Sequence, residues 1–291
     1  MLTSEQMEFY HEKGYVGVED VLTAGEVAEL VRVTDEFVEK SRAVTENDEV
    51  FDLEPDHTPE SPKLRRLKNP NLQHPVYERT WRDDRILDMV AQLIGPAFRS
   101  NGTKLNMKSG EIGSAVEWHQ DWAFYPHSND DLLAVGVAID DMTRENGCLM
   151  IMPGSHRGKI NNHHQDGCFV GAVNEEDFDD SERELVELKA GGISIHHVRA
   201  LHGSLSNRTK NPRRLLLLQY CAADAWPFCQ PVTDWDTFNS TLLRGEPTWE
   251  PRVEKLPVRI PLPGTKSGGG SIYELQSQLD RSTFNKAGAA G

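Results

Sequence analysis

Trp118-His119-Gln120-Asp121-Trp122 is the stretch on which the reading of this chain turns. In an extended strand successive side chains alternate, so His119 and Asp121 point to one face and Gln120 to the other. A neutral imidazole beside a carboxylate supplies two of the three protein ligands of a two-histidine, one-carboxylate metal site. The third has to come from elsewhere, and Leu201-His202-Gly203-Ser204 offers His202 in a turn that ends a strand. Such a triad leaves open positions on non-heme Fe(II).

The flanks of this stretch read as strands. Lys104, Asn106 and Lys108 alternate with Thr103, Leu105 and Met107. Residues 132–139 are an apolar β run, and Glu145-Asn146-Gly147 before residues 148–152 reads as a hairpin turn. The pattern resumes at 185–188 and 191–195, and the nearly continuous apolar run 214–220 is long enough for a central strand. Upstream the rhythm is helical. Residues 4–12 form a short helix capped by Ser4, followed by a strand over 15–18. Thr23 and Glu26 make a capping box ahead of Val27, Leu30, Val31, Thr34, Phe37 and Val38, which predicts an amphipathic helix to about Ser41. A further helix covers 83–94 and stops at Gly95-Pro96. The acidic, proline-bearing segment 44–62 reads as a long loop.

Helices followed by many short strands predict an all-β core with flanking helices, a cupin-like jelly roll. One domain over 1–291 is expected: a helical buttress (1–97), a jelly-roll core (98–222) and a C-terminal extension (223–291). In that extension Ile272, Leu275 and Leu279 offer a helical stripe that docks on the body or on a second subunit. Monomer and homodimer both stay open.

Composition narrows the partners. The chain has 291 residues, with 31 Lys and Arg against 46 Asp and Glu, a net charge of −15. That charge repels nucleic acid, and the one dense basic run, 63–68, reads as a solvated segment. The opening MLTSEQMEFYHEKGY has no apolar core of signal-peptide length, and no stretch approaches a membrane span. Cys148, Cys168, Cys221 and Cys229 are widely spaced, as expected for reduced thiols in the cytoplasm rather than a disulfide frame or zinc knuckle.

Eleven histidines compete for the metal reading. His11, His57, His74, His127, His163 and His164 read as surface or loop residues, whereas His196 and His197 rival His202 because they too lie near a strand end. Arg213 stands at the head of the apolar strand. A guanidinium buried beside a metal site takes a carboxylate bidentately. Asn106, on what should be a neighbouring strand, adds an inward-facing amide. A triad with a buried arginine is what a dicarboxylate cosubstrate requires. Trp122, Phe124 and Tyr125 form either a wall over a substrate or ordinary core packing, and Trp226 and Phe228 are candidates to close the pocket.

Gly14-Tyr15-Val16 before Leu22-Thr23, then Trp118-His119-Gln120-Asp121, Glu145-Asn146-Gly147-Cys148-Leu149 with Pro153-Gly154-Ser155-His156, and His202-Gly203-Ser204 with Arg213 occur in this order. In these motifs the chain resembles the phytanoyl-CoA dioxygenase-like family of Fe(II)/2-oxoglutarate oxygenases. The resemblance implies a double-stranded β-helix with iron held by His119, Asp121 and His202. It also implies Arg213 and Ser204 on the distal carboxylate of 2-oxoglutarate, Asn106 near that cosubstrate, and O₂ as the oxidant. The related halogenases lack the carboxylate that Asp121 supplies, so C–H oxidation is the implied reaction, with succinate and CO₂ released. The substrate class stays open among natural-product intermediates, acyl thioesters, and compact amines or phosphonates. The absence of a basic cluster in the strand-rich half weighs against an acyl-CoA. Two other readings are a catalytically silent jelly-roll binding protein and a zinc hydrolase, for which Glu117 is the nearest base.

Overall fold

The computed structural model describes residues 1–110, 113–229, 232–258, 264–265 and 270–284. Its N-terminal helices form where caps and apolar stripes coincide. Helix α1 (Ser4–Lys13) starts from Thr3, whose hydroxyl and the Gln6 side chain make a reciprocal capping box, so the cap is one residue earlier than Ser4. Strand β1 (Tyr15–Val18) leads to α2 (Ala24–Lys40), capped by Thr23 and Glu26 as expected, with Leu30, Val33, Thr34 and Phe37 buried along one stripe. The segment 44–62 is not all loop. It contains β2 (Phe51–Leu53), which pairs with β3 (Leu64–Lys68); three residues are too few to show a period. Two short helices, α3 (Pro70–Gln73) and α4 (Pro75–Trp81), each open on a proline at the first turn, where a missing N–H costs nothing. Asp83 caps α5 (Asp84–Ile94).

The strand-rich part comprises β4 (Phe98–Lys108), β5 (Val116–His119), β6 (Leu132–Ala138), β7 (Leu149–Ile151) and the two-residue pair β8 (His164–Gln165) and β9 (Cys168–Phe169). It continues with β10 (Glu184–Val186), β11 (Ile193–His197), β12 (His202–Ser204) and β13 (Arg213–Ala222), then α6 (Trp235–Ser240), β14 (Leu242–Arg244) and α7 (Ile272–Gln276). The larger antiparallel sheet runs β1-β11-β6-β13-β4-β3-β2, with β14 on β4, and the smaller runs β10-β7-β12-β5. Three strands from residues 1–97 thus extend the larger sheet, so this part is more than a helical buttress.

Strand β13 is buried at every position, and its side chains alternate between two cores. Leu216 and Leu218 pack with α2, α4 and α5 residues such as Phe37, Tyr77 and Val90, while Leu215 and Leu217 face the smaller sheet with Ile151 and Cys148. The same alternation splits two neighbouring arginines. Arg214 turns outward to ion pairs with Asp35 and Asp140, both at 2.6 Å, and Arg213 turns inward.

Two local expectations are corrected. Glu145-Asn146-Gly147 makes a turn, with the Cys148 amide donating to the Thr143 carbonyl at 2.9 Å, but not a hairpin. It carries the chain from β6 in the larger sheet to β7 in the smaller, a choice of partner that a turn signal does not encode. His202 does not end a strand; it opens β12, paired with His119 on one side and Ile151 on the other.

The C-terminal stripe docks on the body of the same chain. Ile272, Tyr273 and Leu275 are buried, and the Gln276 side chain accepts from the Glu117 amide and donates to the Gly171 carbonyl, both at 2.9 Å. Much of the Gly- and Ser-rich run before it lies outside the described residues. Among the described residues no helix is long and apolar enough to cross a membrane. All four cysteines are free thiols.

Candidate metal centre

Register brings the histidines together. His119 of β5 and His202 of β12 are direct cross-strand partners, and their ring centroids lie 4.1 Å apart. Regular strand ends at His119, but Gln120 keeps an extended backbone (φ −120°, ψ 126°), so Asp121 returns to the same side as it opens a 3₁₀ turn. The Gln120 amide points the other way, donating to the carbonyls of Lys159 (3.1 Å) and Arg199 (2.9 Å). One ligand atom from each of His119, Asp121 and His202 lies within 4.8 Å of the others, and all three residues are buried.

Each imidazole is locked through its other nitrogen. His119 Nδ1–H donates to the Glu117 carbonyl at 2.8 Å and His202 Nδ1–H to the Ala200 carbonyl at 3.0 Å. That fixes the tautomer and leaves each Nε2 lone pair free for a cation. Burial pushes the His119 pKa down to about 4 and that of His202 well below its ordinary value, so both rings are neutral. Burial acts to raise the Asp121 pKa, but the Lys104 ammonium and the neighbouring histidines hold it well below the usual carboxylate range. Two neutral imidazoles and an ionised carboxylate, dry and preset, are a donor set that fits Fe(II) with open positions.

The triad looks into a narrow cavity of about 50 Å³ between the two sheets. Arg213 lines the far end. It is 3% exposed, donates through Nη2 to the Gly147 carbonyl at 2.8 Å, and its Nε has no partner among the described residues. Gly147 makes this approach possible: φ is +77°, and a Cβ there would lie 2.1 Å from the Leu205 carbonyl oxygen. Ser204 lines the same end, its hydroxyl accepting from the buried Lys108 ammonium at 2.8 Å. The Asn106 side-chain oxygen and the Tyr273 hydroxyl, both on the cavity wall, are buried without a partner among the described residues. A buried guanidinium with spare donors across from a metal-ligand set matches a chelating diacid.

The aromatic expectations divide. Phe124 stands edge-on to the His119 ring, with centroids 5.8 Å apart, and the Tyr125 hydroxyl accepts from the Gln219 amide beside Asp121. None of Trp122, Phe124, Tyr125 and Trp226 is among the residues lining the cavity. The Trp122 indole donates to the Pro257 carbonyl at 3.1 Å, Trp226 packs against Trp235 and Phe238, and Phe228 is half exposed. Of the rival histidines on β11, His197 faces away, its Nδ1 accepting from the Arg199 amide at 3.1 Å. His196 faces inward, with Nε2 3.7 Å from Asp121 Oδ2 and neither ring nitrogen hydrogen-bonded among the described residues. The Glu117 carboxylate accepts from Ser282 and Thr283 of the C-terminal segment, which occupies the base a hydrolase would need. Lys104 and Tyr273 line the cavity without having been singled out from the sequence.

His127 and His163, expected at the surface or in loops, are 2% and 1% exposed. Fold closure over a loop segment has no local signature in the sequence. His163 Nε2 accepts from the Gln120 backbone N–H at 3.0 Å and its Nδ1–H donates to the Asn161 carbonyl at 2.8 Å, so a second proton breaks a bond that braces the segment between His119 and Asp121. Burial pushes both imidazoles down to about 4 from an ordinary 6.5. Between those values the unfolded chain binds more protons than the folded one, so stability is lost as pH falls through that window. Melting temperatures of the metal-free protein are therefore expected to drop from pH 7 to pH 5, with a shallower slope for His163→Gln. A flat profile in scanning fluorimetry contradicts this.

Comparison with known proteins gives concordant results. The family described as Phytanoyl-CoA dioxygenase (PhyH) matches residues 10–215. A Stutzerimonas stutzeri protein named as a probable alpha-ketoglutarate-dependent hypophosphite dioxygenase is 34% identical over 287 residues, covering 97% of this chain and 99% of that protein. The crystal structure of EctD from S. alaskensis with bound Fe superposes with a TM-score of 0.67 at 26% identity, covering 88% of each chain. The same protein with 2-oxoglutarate and 5-hydroxyectoine gives 0.65 at 25% identity, again with 88% of each chain covered.

Proposed function

Given that this chain belongs to the phytanoyl-CoA dioxygenase family and is an iron- and α-ketoglutarate-dependent dioxygenase using O₂, we propose that it inserts oxygen into a C–H or P–H bond of a compact small molecule. In this reading the paired sheets form a double-stranded β-helix, and His119, Asp121 and His202 hold the iron. The observation that carries the assignment is their convergence within 4.8 Å, opposite a buried arginine with unused donors. The balanced reaction consumes substrate R–H, 2-oxoglutarate and O₂, and yields R–OH, succinate and CO₂.

When bound, iron with the keto acid and O₂ supplies the oxidising power. The residues supply position. Arg213 grips the distal carboxylate of 2-oxoglutarate through its planar fork. Ser204, itself held by Lys108, would donate to the same carboxylate, and Asn106 would lie near the cosubstrate. The apolar walls Leu215, Leu217 and Ile272 exclude water. The bond oxidised is C–H in the hydroxylase reading. The near full-length similarity to a protein named for hypophosphite makes a P–H bond the first alternative to test. The protein works on small molecules in the cytoplasm, as a monomer or homodimer, with no nucleic acid or membrane partner; its net charge of −15 and four free thiols support this.

The test is succinate formation that needs Fe(II), O₂ and 2-oxoglutarate together and rises on adding substrate, with hypophosphite and small phosphonates tried first. Succinate formed without O₂, or turnover sustained by zinc alone, contradicts the proposal.

A further inference from the structure

One charged group on the cavity wall has no task in the reading above. Lys104 projects from β4 two residues from Asn106 and four from Lys108, on the side of the strand facing the smaller sheet. Its ammonium has neither a hydrogen bond nor an ion pair among the described residues, yet it acts electrostatically on both Asp121 and His119. Among the described residues Asp121 is the one acidic side chain on the cavity wall, which also carries the basic side chains Lys104 and Arg213. With iron and 2-oxoglutarate in place, the three negative charges of the diacid and Asp121 offset the metal and Arg213. The charge on Lys104 is left unmatched.

Lys104, Leu217, Gly136 and Ser194 form one cross-strand row of the larger sheet. A Cβ on Gly136 would lie 2.8 Å from the Ser194 hydroxyl and 3.1 Å from a Leu215 methyl, so the missing side chain lets Ser194 and Leu215, both on the cavity wall, pack directly over its backbone. His196, on the next inward row, presents an imidazole that is 2% exposed and without a hydrogen bond among the described residues. A cation without a counter-ion and an imidazole without a hydrogen bond among the described residues, on one cavity wall, are unfavourable unless a partner for them arrives.

We propose that Lys104, assisted by His196 on the same cavity wall, anchors the substrate as a small anion: a singly charged oxyacid whose oxidisable hydrogen is thereby turned toward the triad. The proposal rests on the oxygenase reading and adds the substrate's charge and the residue that selects it. Arg213 and Lys104 then divide the work, the first gripping the cosubstrate and the second the substrate. A neutral compound of equal size is discriminated against because it leaves the ammonium unpaired.

The experiment uses anaerobic protein with Fe(II). 2-Oxoglutarate is titrated through the visible charge-transfer band of its iron chelate, and hypophosphite, phosphite and methylphosphonate are then titrated through the perturbation of that band. For Lys104→Met, 2-oxoglutarate affinity is expected within about twofold of wild type, while affinity for the anion that binds best falls at least about tenfold. Lys104→Arg, which keeps the charge, recovers part of the loss. Circular dichroism confirms that both variants fold. Unchanged anion binding in Lys104→Met overturns the proposal. A wild-type protein that forms the band but binds none of the three anions also overturns it, and leaves the oxygenase reading standing. A wild-type protein that forms no band overturns the oxygenase reading itself, and the anchor with it.

Discussion

His119→Ala and His202→Ala are each expected to lose iron binding and turnover, whereas His197→Ala is expected to keep both. The first two changes remove one of two imidazoles whose Nε2 lone pairs face Asp121, and each leaves a carboxylate and a single histidine in a dry cavity. Two ligands cannot hold a divalent ion against water as three do. Disrupting even the outer partners of a metal ligand costs about 10- to 100-fold, so loss of a ligand itself is expected to exceed about 100-fold in affinity or rate. His197 sits one residue from an inward-facing histidine, but strand alternation turns it to the other side, toward Arg199 and Asp130. Iron content after dialysis, measured beside succinate formation, checks all three variants. Full iron occupancy in His202→Ala, or its loss in His197→Ala, removes the assignment.

Arg213→Ala is expected to keep its iron and to lose its grip on 2-oxoglutarate. The guanidinium is 3% exposed and spends one donor on the Gly147 carbonyl, which orients the rest toward the cavity. Removing one member of a buried charge pair costs roughly 2–5 kcal/mol, which corresponds to an affinity loss of about 30-fold or more. Arg213→Lys is expected between the two, since an ammonium keeps the charge and gives up the planar fork. Anaerobic titration of the ferrous protein measures this directly. An unchanged 2-oxoglutarate affinity in Arg213→Ala takes the residue out of its assigned role.

Much of the site was legible because its parts are local. The alternation around Gln120, the polar rhythm Lys104-Asn106-Lys108 and the apolar run after Arg213 each express a period of two that survives folding unchanged. Capping chemistry likewise placed α2 and α5 to within a residue. What escaped depends on distant segments. The turn at 145–147 looks like any tight turn until its flanking strands are seen to join different sheets. His163 looks like a loop residue until the Gln120 amide reaches it from 43 positions away. Lys104 was one polar position in an alternating strand, and its solitude appears only when every other cation near the cavity is found to have a partner. Tyr273 offered no sign at all, since nothing local ties it to strands more than fifty positions upstream.

That distance bears on how the protein is made. The wall of the cavity is finished by Ile272 and Tyr273, and the Glu117 carboxylate beside the metal strand is bound by Ser282 and Thr283. A ribosome therefore exposes the whole sandwich of strands well before it delivers the residues that seal it. A nascent chain halted near residue 270 holds every proposed iron ligand and lacks the closing wall. Competence, on this geometry, waits for residues 272–283.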